Sequence, residues 1–344
     1  MLRGELGTRR VERNLVNDVN VRAISLLKDG YTTQSAAELG VIGEAPKDLV
    51  FFGGWHHAYI AKAPAPWKKC KTRDQVGPLE CATEYMISRV GNHLPVKLAE
   101  SRLARLRTPN GSHDDVRFMS RYFLKRHQEQ LVHGIELVAA AFDLAPTDLE
   151  KQIPPNQERD FYTVDMVNEV FDIYSRPSHE LYCQLRDAFA RMMAFDALVG
   201  VNDRHPWNWG VVQNVVNRDT RPRFSPIYDT ARGLFWNHSD EELQGRSSEK
   251  LVESYAEGSK PLIAHPGGGR RTHFDVIDYM VNGPMASTFG ASVRHVIGSF
   301  DSDECRKCLH SEFRNIVSRD RLKYVDELLR YRHARLTKIC RRAA

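Results

Sequence analysis

Asp203 and Asn208 stand close together in VGVNDRHPWNWGVV, residues 199–212, and Asp229 follows at the end of FSPIYD. Two carboxylates and an amide oxygen in this order are the donors that phosphoryl transfer needs: one group to orient an attacking hydroxyl, and hard oxygen ligands for magnesium. Asp203 would accept or orient the hydroxyl proton, while Asn208 and Asp229 would hold the metal. Alone, the D-x-x-x-x-N spacing also fits a polar turn whose Asp and Asn satisfy nearby backbone groups. Upstream residues shift the balance. Lys62 ends the apolar run AYIAK after Gly53 and Gly54, where a lysine could lie over phosphates. Glu84 follows on a stretch of helical spacing, placed in sequence to pair with that lysine.

These residues need a small sheet and a set of helices to position them. Residues 9–39 read as helical, with Val16, Val19, Ile24 and Leu27 near helical spacing, and AISLLKDGYTTQSAAELGVI has an outline similar to a helix-turn-helix. Gly43 and Pro46 fall where a recognition helix should continue, so a packing helical segment over 1–46 is the expectation. From about 47 to 128 the pattern is β-rich. DLVFFGGWHHAYIAKAP reads as a hairpin, LECATEYMISRVG as a helix, and VKLAESRLARL with DVRFMSRYFL as a strand pair. Residues 129–344 read as mainly helical. LVHGIELVAAAFDL, ERDFYTVDMVNEVFDIYS and HELYCQLRDAFARMMAFDALVG are each expected as one helix. WGVV and FSPIYD are expected strands, and FDVIDYMV and RDRLKYVDELLRYRHARLTKI late helices.

Gly-Gly turn, strand lysine, helix glutamate, loop aspartate, metal asparagine and metal aspartate stand in the order found in kinases. The stretch GVNDRHPWNWG, residues 200–210, resembles the G-N-x-D-x-H-x-x-N-F/W-G/S loop of HipA-like kinases. SPIYD at 225–229 resembles their metal motif, FFGGWHHAYIAKAP their glycine loop and lysine strand, and TEYMISRVGNHLPV their glutamate helix. VRFMSRYFL is similar to the strand leading to their hinge. The resemblance covers roughly residues 47–240. It implies an α+β, two-lobed protein-kinase-like fold, with a small β-rich N-lobe over 47–128 and a larger helical C-lobe over 129–344. It further implies ATP and Mg2+ in the cleft, with Gly53, Gly54, Lys62, Glu84, Met119, Ser120 and Arg121 on the nucleotide. Phosphorylation of a protein Ser or Thr hydroxyl, in the manner of a toxin kinase or an exported effector, is the implied activity, and a separate antitoxin or regulatory protein the implied partner. Ser120 stands where the family usually has an acidic residue, and residues 47–61 lack the Ser that the family's phosphate loop often carries. A phosphoinositide or small-molecule kinase, or a nucleotide-binding regulator without catalysis, are the rival readings.

Other features carry weaker signals. His205 stands where protein kinases often place a phosphate-stabilising lysine, or it braces the loop; neutral histidine favours bracing. Arg204 is open to phosphate contact or to a surface ion pair, and Trp207 and Trp209 read as packing residues. Cys305-x-x-Cys308 with His310 lacks a second pair and fits one helical face better than zinc. Gly267–Arg271 has no strand–helix frame around it. The 344 residues carry a net charge of +5, with arginines clustered at both ends, which more often makes solvated helix faces than a nucleic-acid site. No apolar run reaches the length of a membrane span and no signal sequence opens the chain, so cytoplasm is the expected location, export into another cell excepted.

Overall fold

The computed structural model describes residues 19–27, 30–35, 47–52, 57–63, 79–107, 114–125, 127–154, 157–176, 178–244, 248–267 and 271–342. The smaller lobe is built on a five-stranded antiparallel sheet with order β1-β2-β3-β5-β4. Its strands are β1 (Tyr31–Ser35), β2 (Lys47–Phe52), β3 (His57–Lys62), β4 (Ser101–Arg107) and β5 (Asp114–Arg121). The register pairs Phe52 with His57 at one end of the β2–β3 hairpin and Lys47 with Lys62 at the other. β3 then pairs with β5, setting Lys62 opposite Phe118. The helix α1 (Leu79–Gly91) packs against β4 and β5 through a face containing Ala82, Met86 and Val90.

The larger lobe opens with β6 (Glu129–His133), α2 (Gly134–Ala141), α3 (Pro146–Gln152), α4 (Glu158–Phe161), α5 (Val164–Ser175) and α6 (His179–Val199). Ser178 caps α6 by accepting the Leu181 N–H, and Gly200 ends it at φ +76°, a conformation that favours glycine. β7 (Gly210–Asn214) pairs between β6 and the short β8 (Arg223–Phe224). α7 (Asp240–Gln244), α8 (Ser248–Gly258), α9 (His273–Asn282), α10 (Ala286–Ser299), α11 (Ser302–Phe313) and α12 (Arg319–Arg341) complete the chain. α6 is the axis of this lobe, in contact with α5, α9, α10 and α12, and its second half is buried from Met192 to Val199. The two-lobed α+β architecture is the expected one.

Several local expectations need correction. The described part of the segment read as helical at 9–39 holds a short turn, Val21–Ala23, and the strand β1. Its β-branched residues fit a sheet edge as well as a helix, and the edge supplies partners: Leu27 N–H donates to Arg105 O, and Arg105 N–H donates to Ser25 O. The helix-turn-helix reading fails with it. Leu131 to His133 belong to β6 rather than to the helix that follows, because β7 offers them a hydrogen-bonding ladder. ERDFYTVDMVNEVFDIYS breaks at Tyr162–Thr163, where the Thr163 hydroxyl accepts the Met166 N–H and starts α5 anew. FSPIYD keeps only Phe224 in a strand; Ile227 instead forms a parallel bridge to Leu98. That bridge ties the smaller lobe's entry into β4 to the residues just before Asp229.

Candidate active site

Lys62 sits at the last position of β3, buried, and its Nζ lies 2.7 Å from Glu84 Oε1 and 2.8 Å from Asp229 Oδ1. Three segments far apart in sequence meet at this one ammonium. β-Strand pairing fixes the lysine, α1 brings the glutamate, and the chain after β8 brings the aspartate. Burial would lower the lysine's pKa, but the two carboxylates outweigh it and hold it above the ordinary value. The same lysine, with Lys47 and Arg204, overcomes burial at Asp229 and keeps that carboxyl at about 2. Glu84, enclosed more completely, is pushed upward by burial against the pull of Lys62. Its Oε1 also accepts the Thr230 N–H at 3.3 Å, which joins α1 directly to the residue after Asp229.

Asp229 adopts φ +54°, an unusual backbone state for a residue other than glycine. Its Oδ1 faces Lys62, while 32% of the side chain stays open. Asn208 donates its amide N–H to Asp203 O at 2.9 Å, which leaves its amide oxygen for another partner. Carboxylate plus amide oxygen is a donor set suited to magnesium, which takes few protein ligands and completes its shell with phosphate and water.

Arg204 holds the loop. Its guanidinium is 1% exposed and donates to both Asp196 oxygens, at 2.7 and 2.8 Å. Nη1 donates to Asn208 O at 2.9 Å and to Tyr228 O at 2.7 Å. One side chain therefore fastens α6, the Asp203–Asn208 loop and the residue before Asp229. Neither phosphate contact nor a surface ion pair describes it. Asp203 itself is half-exposed, with Arg232 Nη1 at 3.2 Å from its Oδ2.

His205 lies with its ring edge-on to Tyr162, and burial lowers its pKa despite Asp203, Glu150 and Glu158 nearby. Its Nδ1 accepts the Trp207 N–H at 3.4 Å, a bracing contact. Trp209 is buried and stacked on Phe224 at 6.1 Å, against the face of α2 left open by Gly134, where a Cβ would fall 2.4 Å from the indole. Trp207 is the more exposed of the pair and donates Nε1–H to Glu150 at 2.8 Å.

The remaining expected nucleotide residues are the glycines after β2 and the last three residues of β5. Gly53 and Gly54 lie outside the described residues, between Phe52 and His57. That register pair is separated from Lys47–Lys62 by five residues of strand, about 17 Å. Lys47, which the sequence did not single out, is the residue beside Lys62: burial lowers its pKa, Asp229 and Glu84 oppose that, and Lys62 adds to it. Met119, Ser120 and Arg121 end β5. The Met119 side chain is buried with Val50, Tyr59 and Ala61, Arg121 pairs with Glu100, and Ser120 shares the face of Phe118 and Lys62. The crossing to the larger lobe is made just beyond, from Tyr122 onward, with Phe123 against Tyr228 at 5.7 Å.

Cys305 and Cys308 share one face of α11, Cys305 buried, and no group of three or more metal-binding side chains occurs among the described residues. Arg271 is buried and paired with Asp160 at 2.6 Å. No helix among the described residues is long and apolar enough to cross a membrane.

No protein-family model and no curated protein matches the sequence. Solved structures do. The Helicobacter pylori proinflammatory kinase CtkA is 18% identical, with a TM-score of 0.64 over 86% of this chain and 94% of its own. HipA of Shewanella oneidensis MR-1, from a toxin–antitoxin complex of HipA, HipB and operator DNA, is 12% identical with a TM-score of 0.45, over 92% of this chain and 73% of its own. The agreement with CtkA extends over most of both chains and shows that the two share a fold, a smaller β-rich lobe beside a larger helical one.

Proposed function

We propose that this protein transfers the γ-phosphoryl group of ATP, with Mg2+, to a serine or threonine hydroxyl of another protein. The observation that carries this reading is the position of Lys62 Nζ, within 2.8 Å of both Glu84 and Asp229. An ammonium held by two carboxylates across a lobe boundary is aimed by its surroundings rather than by its own flexible stem, which suits a phosphate contact. Lys62 and Lys47 would face the phosphates. The backbone from Tyr122 onward, rather than the β5 side chains, would meet the base. Asn208 and Asp229 would hold the magnesium, which when bound neutralises charge on the phosphates.

Asp203 would orient the acceptor hydroxyl and take its proton as the oxygen attacks. It can do so because Arg204 fixes the loop from beneath while leaving the Asp203 carboxylate on the open side. His205 would hold the turn that follows. A comparison of phosphorylated serines and threonines in cells expressing the wild type or Asp203→Asn tests the reading. Sites present only with the wild type are expected; identical profiles would refute protein phosphorylation.

A further inference from the structure

We propose that Arg232 is a catalytic residue of this chain: its guanidinium moves from Asp203 to the γ-phosphoryl group and stabilises the charge that builds there during transfer. The inference rests on the kinase reading and adds a group that the sequence motifs do not contain.

The geometry begins with position. Arg232 follows Asp229 by three residues, and its backbone oxygen accepts the Asn202 N–H at 3.1 Å, directly before Asp203. Its Nη1 lies 3.2 Å from Asp203 Oδ2, and its guanidinium stacks over Trp236 at 5.5 Å from the ring centre. The Arg232 and Asp203 side chains are 37% and 41% exposed, so the pair lies on the open side of the loop, where an acceptor must arrive.

Three other cations near the loop are turned toward partners other than Asp203. Lys62 is held between Glu84 and Asp229 on the nucleotide side. Arg204 spends its donors on Asp196, Asn208 O and Tyr228 O, in the interior. His205 presents Nδ1 as an acceptor to Trp207 N–H. Among the described residues, Arg232 is the cation paired with Asp203. A partly solvated ion pair of this kind is weakly held, so an incoming dianionic phosphoryl group can draw the guanidinium away. Planar, forked donors match phosphate oxygens, and arginines used this way act on the transition state rather than on ground-state binding.

In the transfer step the acceptor oxygen forms a bond to the γ-phosphorus as the bond from that phosphorus to the bridging oxygen breaks, and the bonding pair leaves with ADP. The hydroxyl proton passes to Asp203 and then to solvent. Arg232 exchanges no proton; leaving Asp203 also frees that carboxylate for the hydroxyl.

The test measures γ-phosphate transfer to casein and to water, with nucleotide affinity measured separately. Arg232→Ala and Arg232→Gln, the latter keeping a long stem beside Trp236, are expected to lower kcat about 100- to 1,000-fold. Nucleotide affinity should stay within twofold. Arg232→Lys should recover part of the rate, and added guanidinium ion should accelerate Arg232→Ala but not Asp203→Asn. Transfer by Arg232→Gln within threefold of wild type, or a loss confined to KM, would overturn the proposal while Asp203→Asn remains inactive. Asp203→Asn as active as wild type would instead refute the kinase reading beneath it.

Discussion

Arg204 and Asp196 form a two-bond ion pair with each side chain 1% exposed, and the same guanidinium donates to Asn208 O in the candidate catalytic loop and to Tyr228 O beside Asp229. Removing either charge strands the other without water. Arg204→Met should therefore destabilise the protein by about 3–5 kcal/mol, as for other broken buried pairs. Asp196→Asn should cost less, because the amide can still accept from the guanidinium. Urea unfolding of the two single variants and the double variant measures the coupling; additive costs would show that the pair is not a unit.

Lys62→Met should remove the cation from the nucleotide side and lower phosphoryl transfer by about 100- to 1,000-fold, the scale found when one charge-stabilising donor is lost. Glu84→Gln should reduce transfer by a smaller factor, since Asp229 still faces the ammonium at 2.8 Å. Steady-state kinetics with varied ATP separates the two. A Glu84→Gln loss larger than that of Lys62→Met would contradict this order of roles.

The protein should lose stability as pH falls below 6.5. Burial lowers the pKa of His273 well below its ordinary 6.5, and of His133 and His205 to a lesser degree. Below 6.5 the unfolded chain therefore binds protons that the native protein refuses, so acid favours unfolding and the native advantage is full only above 6.5. Thermal melts between pH 7.5 and 5 should show Tm falling, with a shallower fall in His273→Gln. A Tm that is level across this range would contradict the burial of these imidazoles.

Gly210→Ala should disturb the start of β7. A methyl there would lie 2.3 Å from Val132 O, a backbone atom held in the β6–β7 ladder. The expected cost is about 1–3 kcal/mol, the range for overpacking. Gly258→Ala meets nothing within 4 Å and serves as the comparison. Equal melting temperatures for the two variants would count against the close approach of Gly210 to β6.

Much of the candidate site is legible in the sequence because its residues cluster by type. Asp203 and Asn208 fall in one short loop, and Lys62, Glu84 and Asp229 stand in a telling order. What the sequence hides is set by pairing and depth. Lys47 is an ordinary lysine until the β2–β3 register places it opposite Lys62. The same register sets the Phe52–His57 pair at the end of the two strands away from Lys47 and Lys62. Arg204 has the sequence context of a surface arginine; only the packing of α6 beneath the loop turns it into a buried clamp. The segment at 9–39 misleads in its described part because Thr32 and Thr33 pair with β2 as strand, and Leu26 and Leu27 meet Arg105 of β4 instead of continuing a helix.

The central claim is that Asp203 and Asp229 serve one phosphoryl-transfer site organised around Lys62. The most direct measurement is transfer of labelled γ-phosphate from ATP to casein by purified protein, with magnesium supplied and withheld. Wild type should transfer label only with magnesium, and Asp203→Asn and Asp229→Asn should each fall to background while remaining folded by circular dichroism. Label transfer by both variants at the wild-type rate would contradict the claim.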